Sequence, residues 1–512
     1  MTFHKTGAAA SLADQEQDCE HLEVEVLNGR TLIIAANRGP VTATREEDGT
    51  YSFQRGGGGL VTALTGLAKQ VDAVWIGSAM TEGDRLWGSG TVDLEDGDGQ
   101  IQVEFLPVDS RAYHLYYNVI ANPLLWFWQH SMWDFVRAPT FTKETWEAWE
   151  DGYVAVNRQF AVAIARHIRR SSKPALVMLQ DYHLYLAPAM IRELAGRNHE
   201  YTLTHFIHIP WPGAEGWGMM PAGMRLPILE GLTALDLIGF QTREDGLNFI
   251  RTCESHLQEC EVSFKEGWVR IGDHFTYVRD FPISIDVGAL RMLSESADVT
   301  EHRRVFENRY GDYKIILRVD RTEPSKNIVR GFQAMEELLE MHPEYMGKVV
   351  FLALLVPSRM EVEEYQSYLD ELMAAAGRVN VAYGDSDWEP VRVLAAENYP
   401  RAIAGMQLYD ALLVNSIADG MNLVAKEGPI VNRKNGVVIL SERTGAREQL
   451  ESGALVISPC DVHATAKALH QALTLPGDQR QEMASFLQET IEREDISDWL
   501  CKQVRSIVIL NL

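Results

Sequence analysis

The sequence is poor in the features that would assign it quickly. Only five of 512 residues are cysteine (Cys19, Cys253, Cys260, Cys460, Cys501), an odd number without a CxxC spacing. That excludes a small disulfide scaffold and a structural zinc site, and predicts reduced thiols in a cytoplasmic protein. Apolar runs are short. The longest, such as Val349 to Val356, fall well below the ~18 residues a membrane helix needs. The first twenty or so residues are polar and rich in Ala and Ser, without the apolar core of a signal peptide, and read as a loose tail over 1–22. Positive charge is scarce as well, with 47 Lys and Arg against 72 Asp and Glu, a formal charge of −25. Such a surface repels nucleic acid and anionic membranes. A phosphate-bearing ligand must then be held by local cations, against the global field. Neither GxGxxG nor GxxxxGK[ST] occurs, which weakens a dinucleotide-binding dehydrogenase and a P-loop NTPase.

What remains is an ordinary soluble composition, 46% hydrophobic and 23% charged, with short apolar runs alternating with amphipathic stretches. Strands are expected at Thr31–Ala36, Ala73–Gly77, Ala175–Gln180, Thr202–Ile209 and Leu235–Phe240. A second series is expected at Lys314–Val319, Val349–Val356, Val379–Tyr383, Ala411–Asn415 and Val437–Ser441. Continuous apolar runs of this kind suit buried parallel strands. Ile328, Phe332, Met335 and Leu339 line one helical face, which Pro343 ends. The best boundary lies near Phe281–Val287. The reading is α/β, two doubly wound domains facing a deep cleft. Residues just past each strand end are therefore the ones to inspect.

Five such places stand out, each with two readings. Arg55-Gly-Gly-Gly-Gly-Leu60 is a phosphate-approaching loop before a helix, or a flexible turn. Arg321-Thr-Glu-Pro-Ser-Lys326 offers two cations for a diphosphate, with Ser325 as helix cap, or is a solvated loop. Asp419-Gly-Met-Asn-Leu423 with Glu427 beyond could bond sugar and ribose hydroxyls, or merely cap a helix. Asp181 and His208, in Gln180-Asp-Tyr-His183 and His205-Phe-Ile-His-Ile-Pro-Trp211, could work in a cleft or be satisfied structural groups. Tyr117, Asn118 and Trp126 sit in an aromatic-rich stretch, Tyr113 to Trp133, that is core or a platform for a sugar ring. Asp96-Gly-Asp98 reads as a hairpin turn rather than a metal-binding DxD.

The order of these motifs at strand ends resembles that of the trehalose-6-phosphate synthases, over about Leu32 to Trp499. The most specific stretch is Ala418-Asp-Gly-Met-Asn-Leu-Val-Ala-Lys-Glu427, followed by Asp181-Tyr-His-Leu184 and His208-Ile-Pro-Trp-Pro212. The resemblance implies a GT-B fold with an acceptor domain over 23–285 and a donor domain over 286–486. A C-terminal helix, 487–512, would cross back to the first domain. It implies a retaining glycosyltransferase that moves glucose from UDP- or GDP-glucose to glucose 6-phosphate. Gly58, Gly59, Arg321, Lys326, Met421, Asn422, Leu423 and Glu427 would bind the donor. Arg38, Tyr117, Trp126, Asp181 and Arg359 would bind the acceptor. Asp181, His208, Arg321, Lys326 and Asp419 would serve catalysis, with no metal or cofactor implied. The nucleobase is not readable, and a homo-oligomer is left open. The family's usual Arg-Leu-Asp-Tyr-x-Lys-Gly is here Arg321-Thr-Glu-Pro-Ser-Lys-Asn327. That form also looks like the validamycin pseudoglycosyltransferase, so cyclitol coupling and glucosylglycerol-phosphate synthesis are the alternatives. A silent sugar-phosphate sensor is a further one.

Overall fold

The computed structural model describes residues 29–56, 73–93, 100–196, 198–359 and 361–512. The first half contributes β1 (Thr31–Ala35), a hairpin β2 (Val41–Arg45) and β3 (Tyr51–Arg55), β4 (Ala73–Ser78), β5 (Ser89–Asp93) and β6 (Gln100–Leu106). It continues with β7 (Ala175–Gln180), β8 (Tyr201–Phe206), β9 (Leu237–Phe240), β10 (Cys260–Ser263), β11 (Trp268–Ile271) and β12 (His274–Asp280). Ten of these form one sheet in the order β10-β11-β12-β9-β8-β7-β1-β4-β6-β5. The middle of that sheet is parallel, and antiparallel pairs close both edges. β13 (Lys314–Arg321), β14 (Val349–Val356), β15 (Val391–Ala395), β16 (Ala411–Val414), β17 (Val437–Ser441) and β18 (Ala454–Ile457) form a second, wholly parallel sheet. Its order is β15-β14-β13-β16-β17-β18. The central strands are buried along their length because helices cover both faces. β7 is buried at all six positions and β16 at all four.

The amphipathic helix Ile328–Met341 buries Ile328, Phe332, Met335 and Leu339, as its spacing requires. The expectation for Val379–Tyr383 does not hold. Those residues are the last turn of the helix Glu363–Tyr383, and the strand is Val391–Ala395. Val379 is buried but Val381 is 88% exposed, so the run is one helical turn rather than a buried strand. Ser325 is not the cap of the following helix; Asn327 is, with φ +59°. Cys253, Cys260 and Cys460 are free thiols. Cys501 is disulfide-bonded, so the reading of every cysteine as reduced fails there.

The segment after β12 joins the halves. Ile283 N–H donates to Gln241 of the first half at 2.9 Å, and Ile283 C=O accepts from Lys426 Nζ of the second at 2.8 Å. The last helix, Ile496–Ile509, returns to the first sheet. Ile496 N–H bonds Ile285 C=O at 3.1 Å, and Trp499 packs edge-on against Phe206 of β8. One apolar core accordingly runs from β1 through Phe281 and Trp499 into β13 and β17. No helix among the described residues is long and apolar enough to cross a membrane.

Candidate active site

A cavity of about 660 Å³ opens between the two sheets, at the carboxyl ends of β1, β7, β8, β13 and β14. This is where a doubly wound sheet presents its loops. Its lining includes nine residues singled out from sequence: Arg38, Tyr117, Trp126, Asp181, His208, Arg321, Lys326, Arg359 and Asp419.

On the second-sheet side, β13 ends at Arg321 and turns through Pro324–Lys326 into the helix Ile328–Met341. Asn327 holds the left-handed conformation where the resembled motif has glycine. It does so because its amide donates to the carbonyls of Asn415 and Pro459. The buried guanidinium of Arg318 donates to the Lys326 carbonyl at 3.0 Å and also to Asn415. The loop carrying the two cations is thus fixed from behind. Lys326 Nζ lies 2.5 Å from Asp419 Oδ2. Burial opposes the charge of both, but each holds the other charged: the lysine is above its ordinary range and the aspartate below. Asp419 also accepts from Ser416 Oγ at 3.1 Å and Asn422 Nδ2 at 3.0 Å.

Gly420 explains why its loop needs a glycine. A Cβ there would lie 1.9 Å from the His208 carbonyl of the first half. The two loops approach each other closely, and no side chain fits between them.

On the first-sheet side, Asp181 follows β7 with φ +66°, a rare conformation for a non-glycine residue and one that collects at working sites. The bend is held by Asp181 N–H to the Phe206 carbonyl at 2.8 Å, and by His205 Nε2 on the Asp181 carbonyl at 2.9 Å. The carboxylate accepts from His208 N–H at 3.3 Å, and burial pushes its pKa up to about 6. His208 Nε2 meets Gln180 Oε1 at 3.1 Å, and burial, helped by His205, lowers its pKa to about 3, so the ring is neutral.

The aromatic stretch is both core and lining. Tyr117 stacks between Tyr113 and His183, with centroids 5.4 and 5.8 Å away. Burial alone would raise the pKa of its hydroxyl, but Arg359 and Arg38 bring it below the ordinary value. Those two arginines, 321 residues apart in sequence, therefore converge on one tyrosine. Arg359 lies 5.1 Å over the Trp126 ring and donates to the hydroxyls of Tyr182 (3.2 Å) and Tyr365.

Four residues expected at the donor do not line this cavity. Met421 is packed in the core, Asn422 is turned onto Asp419, and Leu423 is half-buried behind the loop. Glu427 accepts from Tyr399 at 2.9 Å. Gly58 and Gly59 lie outside the described residues, as do the Asp96-Gly-Asp98 turn and the 1–22 tail. His130 and Glu323 are among the lining residues to which sequence reasoning assigned no role. Glu323 departs from the resembled motif by one methylene, and that was its only signal. No group of three or more His, Cys, Asp or Glu suited to a metal occurs among the described residues. The arrangement lines one cavity with four cations, Arg38, Arg321, Lys326 and Arg359, beside the carboxylate of Asp181 and the neutral ring of His208. This can hold two phosphorylated ligands with their sugars between.

Comparison with known proteins gives the same direction. The glycosyltransferase family 20 model matches residues 30–508. A UDP-forming alpha,alpha-trehalose-phosphate synthase of Schizosaccharomyces pombe is 32% identical over 500 residues, covering 95% of this chain and 92% of the relative. A UDP-forming alpha,alpha-trehalose-phosphate synthase from Burkholderia xenovorans superposes with a TM-score of 0.79 at 26% identity, over 94% of this chain and 99% of that one. A structure of trehalose-6-phosphate from E. coli bound with UDP-2-fluoro glucose superposes with a TM-score of 0.79 at 26% identity, covering 94% and 98%.

Proposed function

The chain belongs to glycosyltransferase family 20, and from that premise we propose that it transfers glucose from UDP-glucose to C1 of glucose 6-phosphate, giving trehalose 6-phosphate and UDP. The observation that carries this reading is that two pairs of cations, Arg321 with Lys326 and Arg38 with Arg359, line one cavity. An enzyme with one phosphorylated substrate needs only one of them. Glucosylglycerol-phosphate synthesis would use the same pair, but the relatives' printed activity favours the trehalose product.

In this reading Arg321 and Lys326 hold the diphosphate, where negative charge grows as the donor C1–O bond breaks. Arg38 and Arg359 hold the acceptor phosphate, with Tyr117 and Trp126 beside the sugar. The acceptor's C1 hydroxyl attacks the donor C1 on the face the diphosphate leaves, so configuration is retained. Its proton passes to the departing phosphate oxygen, and no paired carboxylates of the hydrolytic kind are required. Asp181 and neutral His208 orient sugar hydroxyls where donor and acceptor meet. Asn422, Leu423 and Glu427 would reach the donor once the halves close, which also excludes water.

The acceptor half is taken as 23–285 and the donor half as 286–486, with 487–512 crossing back; the contacts of Ile496 and Trp499 support this division. A cytoplasmic setting is part of the reading, since both substrates are charged and do not pass a bilayer.

The test is a grid of UDP-, GDP- and ADP-glucose against glucose 6-phosphate, glycerol 3-phosphate and an aminocyclitol phosphate, read as nucleoside diphosphate release. The expected result is strongest release with UDP-glucose and glucose 6-phosphate together. Release confined to another acceptor would replace the reading by one of its alternatives.

A further inference from the structure

Glu323 stands between the two phosphate clusters, and its geometry differs from that of a structural ion pair. The side chain is wholly buried at the floor of the cleft, while Arg321 is half exposed above it. One oxygen, Oε1, lies 2.7 Å from Arg321 Nη1, 3.7 Å from Arg359 Nη1 and 3.3 Å from Ser358 Oγ, which donates to it. The other oxygen, Oε2, is buried with no hydrogen-bond partner among the described residues. A carboxylate serving one arginine would be engaged through both oxygens in a planar fork. Leaving a buried acceptor unsatisfied is costly. Here one oxygen is shared between a donor-side and an acceptor-side cation, and the second is left over. Although burial opposes it, Arg321, Arg359 and Lys326 keep the group ionised. Asp419 treats Lys326 similarly but contacts no acceptor-side cation.

We propose that Glu323 is an internal counter-anion that occupies the phosphate-binding side of Arg321 and Arg359 between turnovers and speeds release of the nucleoside diphosphate. This rests on the reading of those arginines as phosphate ligands and extends it to a residue that touches neither reacting carbon. Substrate phosphates displace the carboxylate rather than dehydrate bare guanidiniums. After transfer the carboxylate recaptures Arg321 and weakens the hold on the product. Glu323 is thereby a positioning residue with a distinctive sign. A merely structural partner, when neutralised, loosens Arg321 and weakens phosphate binding. A competing anion, when neutralised, strengthens it.

The experiment measures UDP binding by calorimetry, and steady-state turnover, for the wild type and Glu323→Gln. The variant is isosteric and keeps an acceptor for Ser358. Glu323→Gln is expected to bind UDP roughly fivefold or more tightly, with a correspondingly lower UDP inhibition constant. Its kcat should fall while the KM for UDP-glucose falls or stays level. Unchanged or weaker UDP binding in a folded variant overturns the proposal. A second measurement needs no variant: in a crystal of the wild type with UDP, Arg321 should have left Glu323 for the diphosphate, beyond the ~4 Å of an ion pair. An Arg321 still paired with Glu323 overturns it equally. A wild type that binds no UDP at all removes the functional reading and the proposal with it, and is distinguishable because the variant is then irrelevant.

Discussion

Arg321 and Lys326 are each held by a carboxylate before any ligand arrives, the first by Glu323 and the second by Asp419. Two cations are thereby kept charged inside one cavity of a chain whose net charge is −25, and the proposed reading gives them the leaving diphosphate. Arg321→Ala or Lys326→Ala should lower kcat/KM by roughly a hundredfold or more, as removal of a preorganised charge stabiliser does. Near-normal steady-state kinetics in either variant would falsify the diphosphate assignment. Arg38→Ala should raise the KM for glucose 6-phosphate by about tenfold with donor binding nearly intact, because the proposed reading gives it to the acceptor phosphate alone; an effect confined to the donor KM contradicts that role. Asp181 gives a pH prediction. Its folded pKa of about 6 lies above an unfolded value of about 3.9. The native state therefore binds the extra proton between about pH 4 and 6, and stability from this group falls as pH rises through that window. Asp181→Asn should melt higher than the wild type at pH 7, with the gap shrinking toward pH 4.5, while turnover is lost. A gap that widens toward low pH contradicts the sign. A cavity-lining group that weakens the fold it sits in is the usual cost of placing a charge in a cleft.

At the scale of the element, the loop after β16 and the loop after β8 are built against each other through Gly420. Gly420→Ala forces a Cβ onto the His208 carbonyl, and backbone cannot yield as a flexible side chain would. The expected outcome is a loss of about 2 kcal/mol or more of stability in urea titration, together with a larger loss of turnover than of circular-dichroism signal. A neutral substitution would show that the loops separate freely. Elements also show where sequence patterns succeed and fail. The strands carrying the site were legible because each is a long apolar run ending in polar residues. Val379–Tyr383 was misread because a short apolar run is the same for a strand and for a buried helical turn. Only the length of the preceding helix, Glu363–Tyr383, distinguishes them. The left-handed Asn327 was invisible because asparagine earns that conformation through carbonyls 88 and 132 residues away.

Across the whole molecule, the two halves share a core rather than merely touching. Trp499, on the returning C-terminal helix, is fully buried and packs on Phe206 of β8, two residues before His208. Trp499→Ala should cost about 3–5 kcal/mol in urea unfolding, and the loss of support beneath His208 should lower turnover in the protein that remains folded. A cost under about 1 kcal/mol would mean the helix is not part of the common core. The sequence by itself determined the chemistry available: two sets of cations on an acidic chain, carboxylates and histidines at strand ends, and the alternation that makes parallel sheets. Those follow from composition and period, which are local. Only the tertiary structure decided which of these groups meet. Arg38 and Arg359 converge on Tyr117, Gly420 lies against His208, and Glu323 bridges two arginines, because the facing sheets bring together loops that are far apart along the chain. Contacts of that range leave no periodic trace in sequence, since any polar residue at a strand end satisfies the local pattern equally well.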